Sequence, residues 1–111
     1  MYRINDPFLY FEDLNGVPLN NGYIYFGVAG ANPETSPITV YYDEAGTQPA
    51  AQPIRTINGY PVRNGSAAQL FINTECSLTV KDSNLVLVTY LANANLFDTL
   101  LKYICYLYFI S

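Results

Sequence analysis

Apolar positions along this chain gather into short runs, at 8–11, 23–27, 38–42, 54–57, 69–72, 77–81 and 85–90. The runs favour Ile, Val, Tyr, Phe, Leu and Thr, residues that suit a pleated, half-buried surface. None has helical spacing, so each predicts a β-strand. In 77–81, Leu78 and Val80 alternate with Ser77, Thr79 and Lys81, which predicts one buried face and one wet face. In 85–90 both alternating sets are apolar, which predicts a strand central in its sheet or covered by another chain.

Turn residues separate the runs. Asn-Gly occurs at Asn15-Gly16, Asn21-Gly22, Asn58-Gly59 and Asn64-Gly65. Both residue types tolerate the positive φ of tight hairpins, so Gly16, Gly22, Gly59 and Gly65 are assigned as structural turns. Prolines at 18, 33, 37, 49, 53 and 61 break any longer pattern. Stretches 28–37 and 43–53 read as long polar loops, which in a small domain are often functional or interfacial. The expected fold class is all-β: a small compact domain of short antiparallel strands and hairpins over residues 1–95. Its packing core is expected at Tyr25, Phe26, Val40, Tyr41, Leu70, Ile72, Leu78 and Val80.

Residues 96–111 change character and form a short apolar C-terminal helix or tail. Asn95 suits a helix cap, with Asp98 as its partner three residues on. Leu96, Leu100, Tyr103, Leu107 and Ile110 share one side of such a helix. Phe97, Leu101, Tyr106 and Phe109 make the other sides apolar too. A helix apolar all round must be buried, and neighbouring copies of the chain are the natural cover. A strand-like, disordered or aberrant end is the alternative. Subunit contacts are therefore expected at Val86, Val88, Tyr90, Leu96, Leu100 and Tyr103.

Composition narrows the function more than it widens it. The 111 residues suit one domain, and 50% are hydrophobic with 15% aromatic, which rules out simple disorder. Five basic residues against nine acidic ones leave a net charge of −4, the wrong sign for holding nucleic acid or anionic lipid. The apolar C-terminal stretch is shorter than the roughly 20 residues of a membrane span. No basic, apolar leader opens the chain, so the N-terminus does not read as a signal peptide. No histidine is present, which removes the usual general base and the commonest metal ligand. Cys76 and Cys105 lack framework spacing and read as buried thiols. Catalytic, metal and cofactor sites are accordingly assigned to none of the residues.

The remaining motifs read as structure. Gly27-Val28-Ala29-Gly30 lacks the Lys and Ser or Thr of a phosphate loop. The acidic pairs Glu12-Asp13 and Asp43-Glu44 abut turn signals, and Asp43 is placed to cap its own loop. Asn64-Gly65-Ser66 matches a glycosylation sequon but reads as a hairpin turn. The 11 tyrosines suit core packing and protein interfaces, each ring offering apolar area with a polar tip. A small carbohydrate-binding β module using tyrosine faces is the rival reading.

The order of phrases adds a resemblance. Asp13-Leu14-Asn15-Gly16-Val17-Pro18-Leu19 precedes Asn21-Gly22-Tyr23-Ile24-Tyr25-Phe26-Gly27. Ile38-Thr39-Val40-Tyr41-Tyr42-Asp43, Gln52-Pro53-Ile54-Arg55-Thr56 and Asn58-Gly59-Tyr60-Pro61-Val62-Arg63-Asn64-Gly65 follow, then Ser77-Leu78-Thr79-Val80-Lys81-Asp82. Over residues 5–90 this resembles the N-terminal head-binding domain of tailspike proteins from short-tailed, Salmonella-type phages. The resemblance implies a non-catalytic homotrimer that anchors a tailspike to a phage tail or head-completion protein. It implies a location in the virion tail after synthesis in the bacterial cytoplasm. The 29–37 and 43–53 loops are the expected docking patch. Two departures stand out: Cys76 replaces an expected aromatic residue, and Asn84-Leu85 replaces an Asn-Gly turn, which predicts a wider hairpin. The apolar end reads as that of a truncated, prophage-encoded form without the β-helical receptor portion.

Overall fold

The computed structural model describes residues 2–3 and 9–94, which form ten strands and no helix. In chain order they are β1 (Tyr2–Arg3), β2 (Tyr23–Val28), β3 (Val40–Tyr41), β4 (Pro49–Ala50) and β5 (Ile54–Ile57). β6 (Tyr60–Arg63), β7 (Ser66–Ala67), β8 (Phe71–Ile72), β9 (Cys76–Lys81) and β10 (Leu87–Ala94) follow. The protein is all-β. One sheet has the order β1-β8-β3-β4 and the other β10-β9-β2-β5-β6-β7, and every pairing is antiparallel. The expected helix or tail at 96–111, with Leu96, Leu100, Tyr103 and Cys105, lies outside the described residues.

The core sits on the inner face of the larger sheet. There β2 and β9 pair Ile24 with Val80 and Phe26 with Leu78, and Ile24 also meets Ile54 of β5. All five side chains are buried, in one cluster with Val40, Ala50 and Ile72 of the smaller sheet and Leu9, Phe11, Leu19 and Leu70 from the connections. Six of the eight expected packing residues are buried there. Tyr25 and Tyr41 are only half-buried, Tyr25 because it pairs with Thr79 on the outer face.

β9 corrects the expected alternation. Ser77 and Thr79 are buried along with Leu78 and Val80. β9 is flanked by β2 and β10, and the 29–37 connection folds over its outer face, where a Cβ on Gly27, the partner of Ser77, would lie 2.3 Å from Pro33. The Ser77 hydroxyl is left buried without a hydrogen-bond partner. Of the two readings of the 85–90 run, the central one is overturned: its strand begins at Leu87 and forms an edge of the sheet.

Backbone geometry explains the turns. Asn58 and Gly59 between β5 and β6, and Asn64 and Gly65 between β6 and β7, all take positive φ, as two-residue hairpin loops require. Gly22 is a correction: its neighbour Asn21 has the positive φ, and Gly22 is needed for close approach. A Cβ there would lie 2.4 Å from Leu19 Cδ2, while its N–H donates to the buried Thr56 Oγ1 at 2.9 Å.

The 13–17 and 82–86 turns share one design. In each, an aspartate N–H donates to the carbonyl four residues on, and its Oδ1 accepts the N–H groups two and four residues on. The residue three positions on has positive φ: Gly16 at 78° and Leu85 at 63°. The 82–86 hairpin is thus no wider than its Asn-Gly counterpart, because the Asp82 carboxylate holds the same backbone path and forces Leu85 into it. That conformation costs an L-residue about 1–2 kcal/mol. Leu85→Gly is expected to raise stability by about 1 kcal/mol after the added freedom of the unfolded glycine is counted, read as a higher urea midpoint. Ser77→Ala is expected to be stabilising by about 1 kcal/mol, since it removes a desolvated hydroxyl that makes no bond. A lower midpoint in either variant would contradict its account.

Candidate functional site

Strand direction gathers three turns at one end of the larger sheet. Tyr23, the first residue of β2, lies opposite Lys81 at the close of β9 and beside Arg55 of β5. The 82–86 turn and the Asn58-Gly59 turn therefore open at the same end. The 13–17 hairpin is tied to the Asn58-Gly59 turn, since Phe11 N–H donates to the Gly59 carbonyl at 2.8 Å and Gly59 N–H to the Leu19 carbonyl at 2.8 Å.

Apolar side chains point to solvent at this end. Leu14 and Val17 project from one hairpin, with Leu14 67% exposed. Leu85, Val86 and Leu87 project from the other, each about half exposed. Tyr10, Ile57 and Tyr60 flank Asn58-Gly59, the two tyrosine rings tilted together at 5.3 Å between centroids. Of the ten large apolar side chains exposed among the described residues, only Val28 and Tyr90 lie elsewhere. Partial burial first, then the Glu12 carboxylate, holds the Tyr10 hydroxyl above its ordinary pKa. A concentration of exposed apolar side chains of this kind suits a protein interface.

The outer face of the sheet is organised differently. The Arg55 guanidinium lies over the Tyr23 ring at 4.0 Å and donates to the carbonyls of Gly22 and Asn21, each at 3.0 Å. Lys81 pairs with Glu34 and sits 5.7 Å from the Tyr25 ring centre; the Glu34 hydrogen bond holds its pKa above the ordinary value. Tyr90 donates its hydroxyl to the Ala31 carbonyl at 3.4 Å. Arg63 covers the Tyr42 ring at 4.3 Å and donates to Gln48 Oε1 at 2.8 Å. These tyrosines already have internal partners, which leaves less open ring face for a sugar.

Leu96, Leu100 and Tyr103 lie outside the described residues, and the three expected contact residues that are described point in different directions. Val86 stands in the exposed turn, Val88 is half-buried against the core, and Tyr90 is on the outer face. A register shift between Leu87 and Thr89 separates their directions. The 29–37 loop is pinned to the sheet through Pro33, Glu34 and the 2.6 Å bond from Gly30 N–H to the Ala92 carbonyl. Sequence reasoning missed Leu14, Val17, Leu85 and Leu87. The available signal was apolar residues inside or beside aspartate-led turns, where polar residues are usual.

Among the described residues no three His, Cys, Asp or Glu side chains gather where they could hold a metal ion. A scan against protein-family models and a search of curated proteins return no match for this chain.

Asp43 caps its own loop, accepting the N–H groups of Thr47 and Gln48 at 2.9 Å and the Thr47 hydroxyl. The Thr47 hydroxyl bond is the main cause that holds the Asp43 pKa below its ordinary value, with the two amide bonds adding. A depressed folded pKa stabilises above the unfolded value, and the contribution is lost as pH falls through the folded one. Thr47→Ala is expected to raise the Asp43 pKa toward the usual carboxylate range, followed by NMR titration of the side-chain carboxyl carbon. An unmoved titration would remove the hydroxyl as the cause.

Proposed function

We propose that this domain is a structural virion-attachment module of the tailspike head-binding kind, a homotrimer that anchors a spike to the tail of a short-tailed phage. The observation that carries the reading is the concentration of exposed apolar side chains at one end of the larger sheet. β10 runs from that end to Ala94, paired with Cys76 at the far end, so the chain leaves the sheet on the opposite side. A domain docked through its apolar end thus directs whatever follows β10 away from the docking partner. The work is binding; three copies presenting one patch raise the effective concentration of weak contacts. The docking patch is assigned to the 13–17 and 82–86 turns rather than to the 29–37 loop, which is occupied in covering the sheet.

The reading is tested in two steps. Sedimentation of the full chain is expected to give three times the 12.4 kDa protomer mass, and a monomer at every concentration would overturn the trimer. The chain is then added to short-tailed virions stripped of their spikes. Co-sedimentation is expected for the native sequence and at least about tenfold weaker for a Val17→Asp and Val86→Asp double variant, as burying two unpaired charges demands. Both residues are exposed, so circular dichroism should show the fold unchanged. Equal binding by both proteins would overturn the assigned patch.

A further inference from the structure

The four Asn-Gly pairs are chemically alike but structurally unequal. In any Asn-Gly pair the glycine nitrogen, on losing its proton to base, attacks the asparagine Cγ. A C–N bond forms, the side-chain nitrogen leaves as ammonia, and a five-membered succinimide results. Water then adds to either ring carbonyl and breaks its bond to nitrogen, leaving aspartate or, through the other carbonyl, isoaspartate. The reaction needs no catalyst beyond water and base. It does need a glycine N–H released from hydrogen bonding and a backbone free to turn.

We propose that Asn64 is the site at which the folded chain modifies itself in this way. Gly22 N–H is held by the buried Thr56 hydroxyl at 2.9 Å, Gly59 N–H by the Leu19 carbonyl at 2.8 Å, and Gly16 N–H by the Asp13 carbonyl at 3.1 Å. Among the described residues Gly65 N–H has no hydrogen-bond partner. Gly22 and Gly59 are buried, and a Cβ at either would lie 2.4 Å from a neighbouring side chain. Gly65 is exposed, with nothing within 4 Å of the same point. Asn21 and Asn58 therefore react only after part of the core opens, whereas Asn64 needs only its own hairpin to open. That hairpin is held on one side by β7, two exposed residues at the edge of the sheet. Openings of such edge segments lie at the inexpensive end of the native range.

The modification has a structural consequence. Isoaspartate inserts a methylene into the backbone of a two-residue turn, and both products add a negative charge beside Arg63. Arg63 is the residue that reaches Tyr42 and Gln48. The lesion therefore loosens the grip of β6 on the segment between β3 and β4.

The full folded chain is incubated in mildly alkaline buffer at physiological temperature and sampled by tryptic peptide mass spectrometry. Cleavage after Arg55, Arg63 and Lys81 places Asn58 and Asn64 in separate peptides; fragment spectra separate Asn15 from Asn21. The gain of about one dalton is expected to appear at Asn64 at least about tenfold faster than at Asn21 or Asn58, equivalent to about 1.4 kcal/mol of opening free energy. Asn15, exposed but hydrogen-bonded through Gly16, is expected between them. In urea the four rates should converge, and Asn64→Gln should remove the fast site from the folded chain. Equal rates at Asn64 and Asn58 in the folded chain, or the same spread in urea, would overturn the proposal.

Discussion

The pairing of β2 with β9 is the constraint on which the rest depends. Six residues of each strand lie in register, from Tyr23 with Lys81 to Val28 with Cys76. On the inner face this stacks Ile24 on Val80 and Phe26 on Leu78, all fully buried. On the outer face it sets Tyr23 and Tyr25 beside the cations that cover them. A one-residue slip would exchange the two faces and drive tyrosines and a lysine into the core. β5 pairs with β2 only at Tyr23 and Ile24. Beyond that point the Gln52 side chain takes over, accepting the Phe26 N–H at 2.7 Å and donating to the Ile38 carbonyl. Buried backbone groups need partners, so a single amide side chain stands in for a missing strand.

Much of this was legible because the strongest signals were local. Asn58-Gly59 and Asn64-Gly65 encode their turns in two residues, and β2, β5 and β9 follow within a residue or so of the expected positions. Two of the failures depend on what lies across space, and two on neighbours a few positions away whose effect residue type alone does not reveal. Residues 8–11 have strand composition, yet form no strand among the described positions 9–11, because Phe11 is held by the Gly59 turn rather than by a ladder. The 38–42 run shrinks to Val40–Tyr41 because Pro37 and the capped Asp43 loop confine it. Ser77 and Thr79 looked wet because alternation cannot reveal that a loop 40 or so residues upstream lies over them. Leu85 concealed its turn because the determinant is the Asp82 carboxylate, three positions earlier, and not the glycine that usually marks such a place.

The candidate site was less legible than the fold for a related reason. A contact residue is defined by direction, and direction along β10 changes at its register shift. Val86, Val88 and Tyr90 alternate neatly in sequence, but only Val86 reaches the apolar end. What builds that end is antiparallel topology, which returns the 82–86 turn and the Asn58-Gly59 turn to the start of β2. The 13–17 hairpin joins through hydrogen bonds to Gly59 and Leu19, contacts that no local pattern encodes.

The same turns carry opposing demands. Asp13 and Asp82 spend their carboxylates on backbone amides, so these acidic residues shape the loops while Leu14, Val17, Leu85 and Val86 meet solvent. A polar residue at each exposed position would satisfy the turn equally well, since the hydrogen bonds use only the aspartate and the backbone. At position 85 a glycine would satisfy it better, because the φ of 63° is strained for leucine. Folding therefore gives no reason for a leucine there, and exposure to water gives a reason against one. On the proposed attachment role, the leucine is buried in an assembly, where its apolar area contributes to binding what its backbone costs the isolated domain.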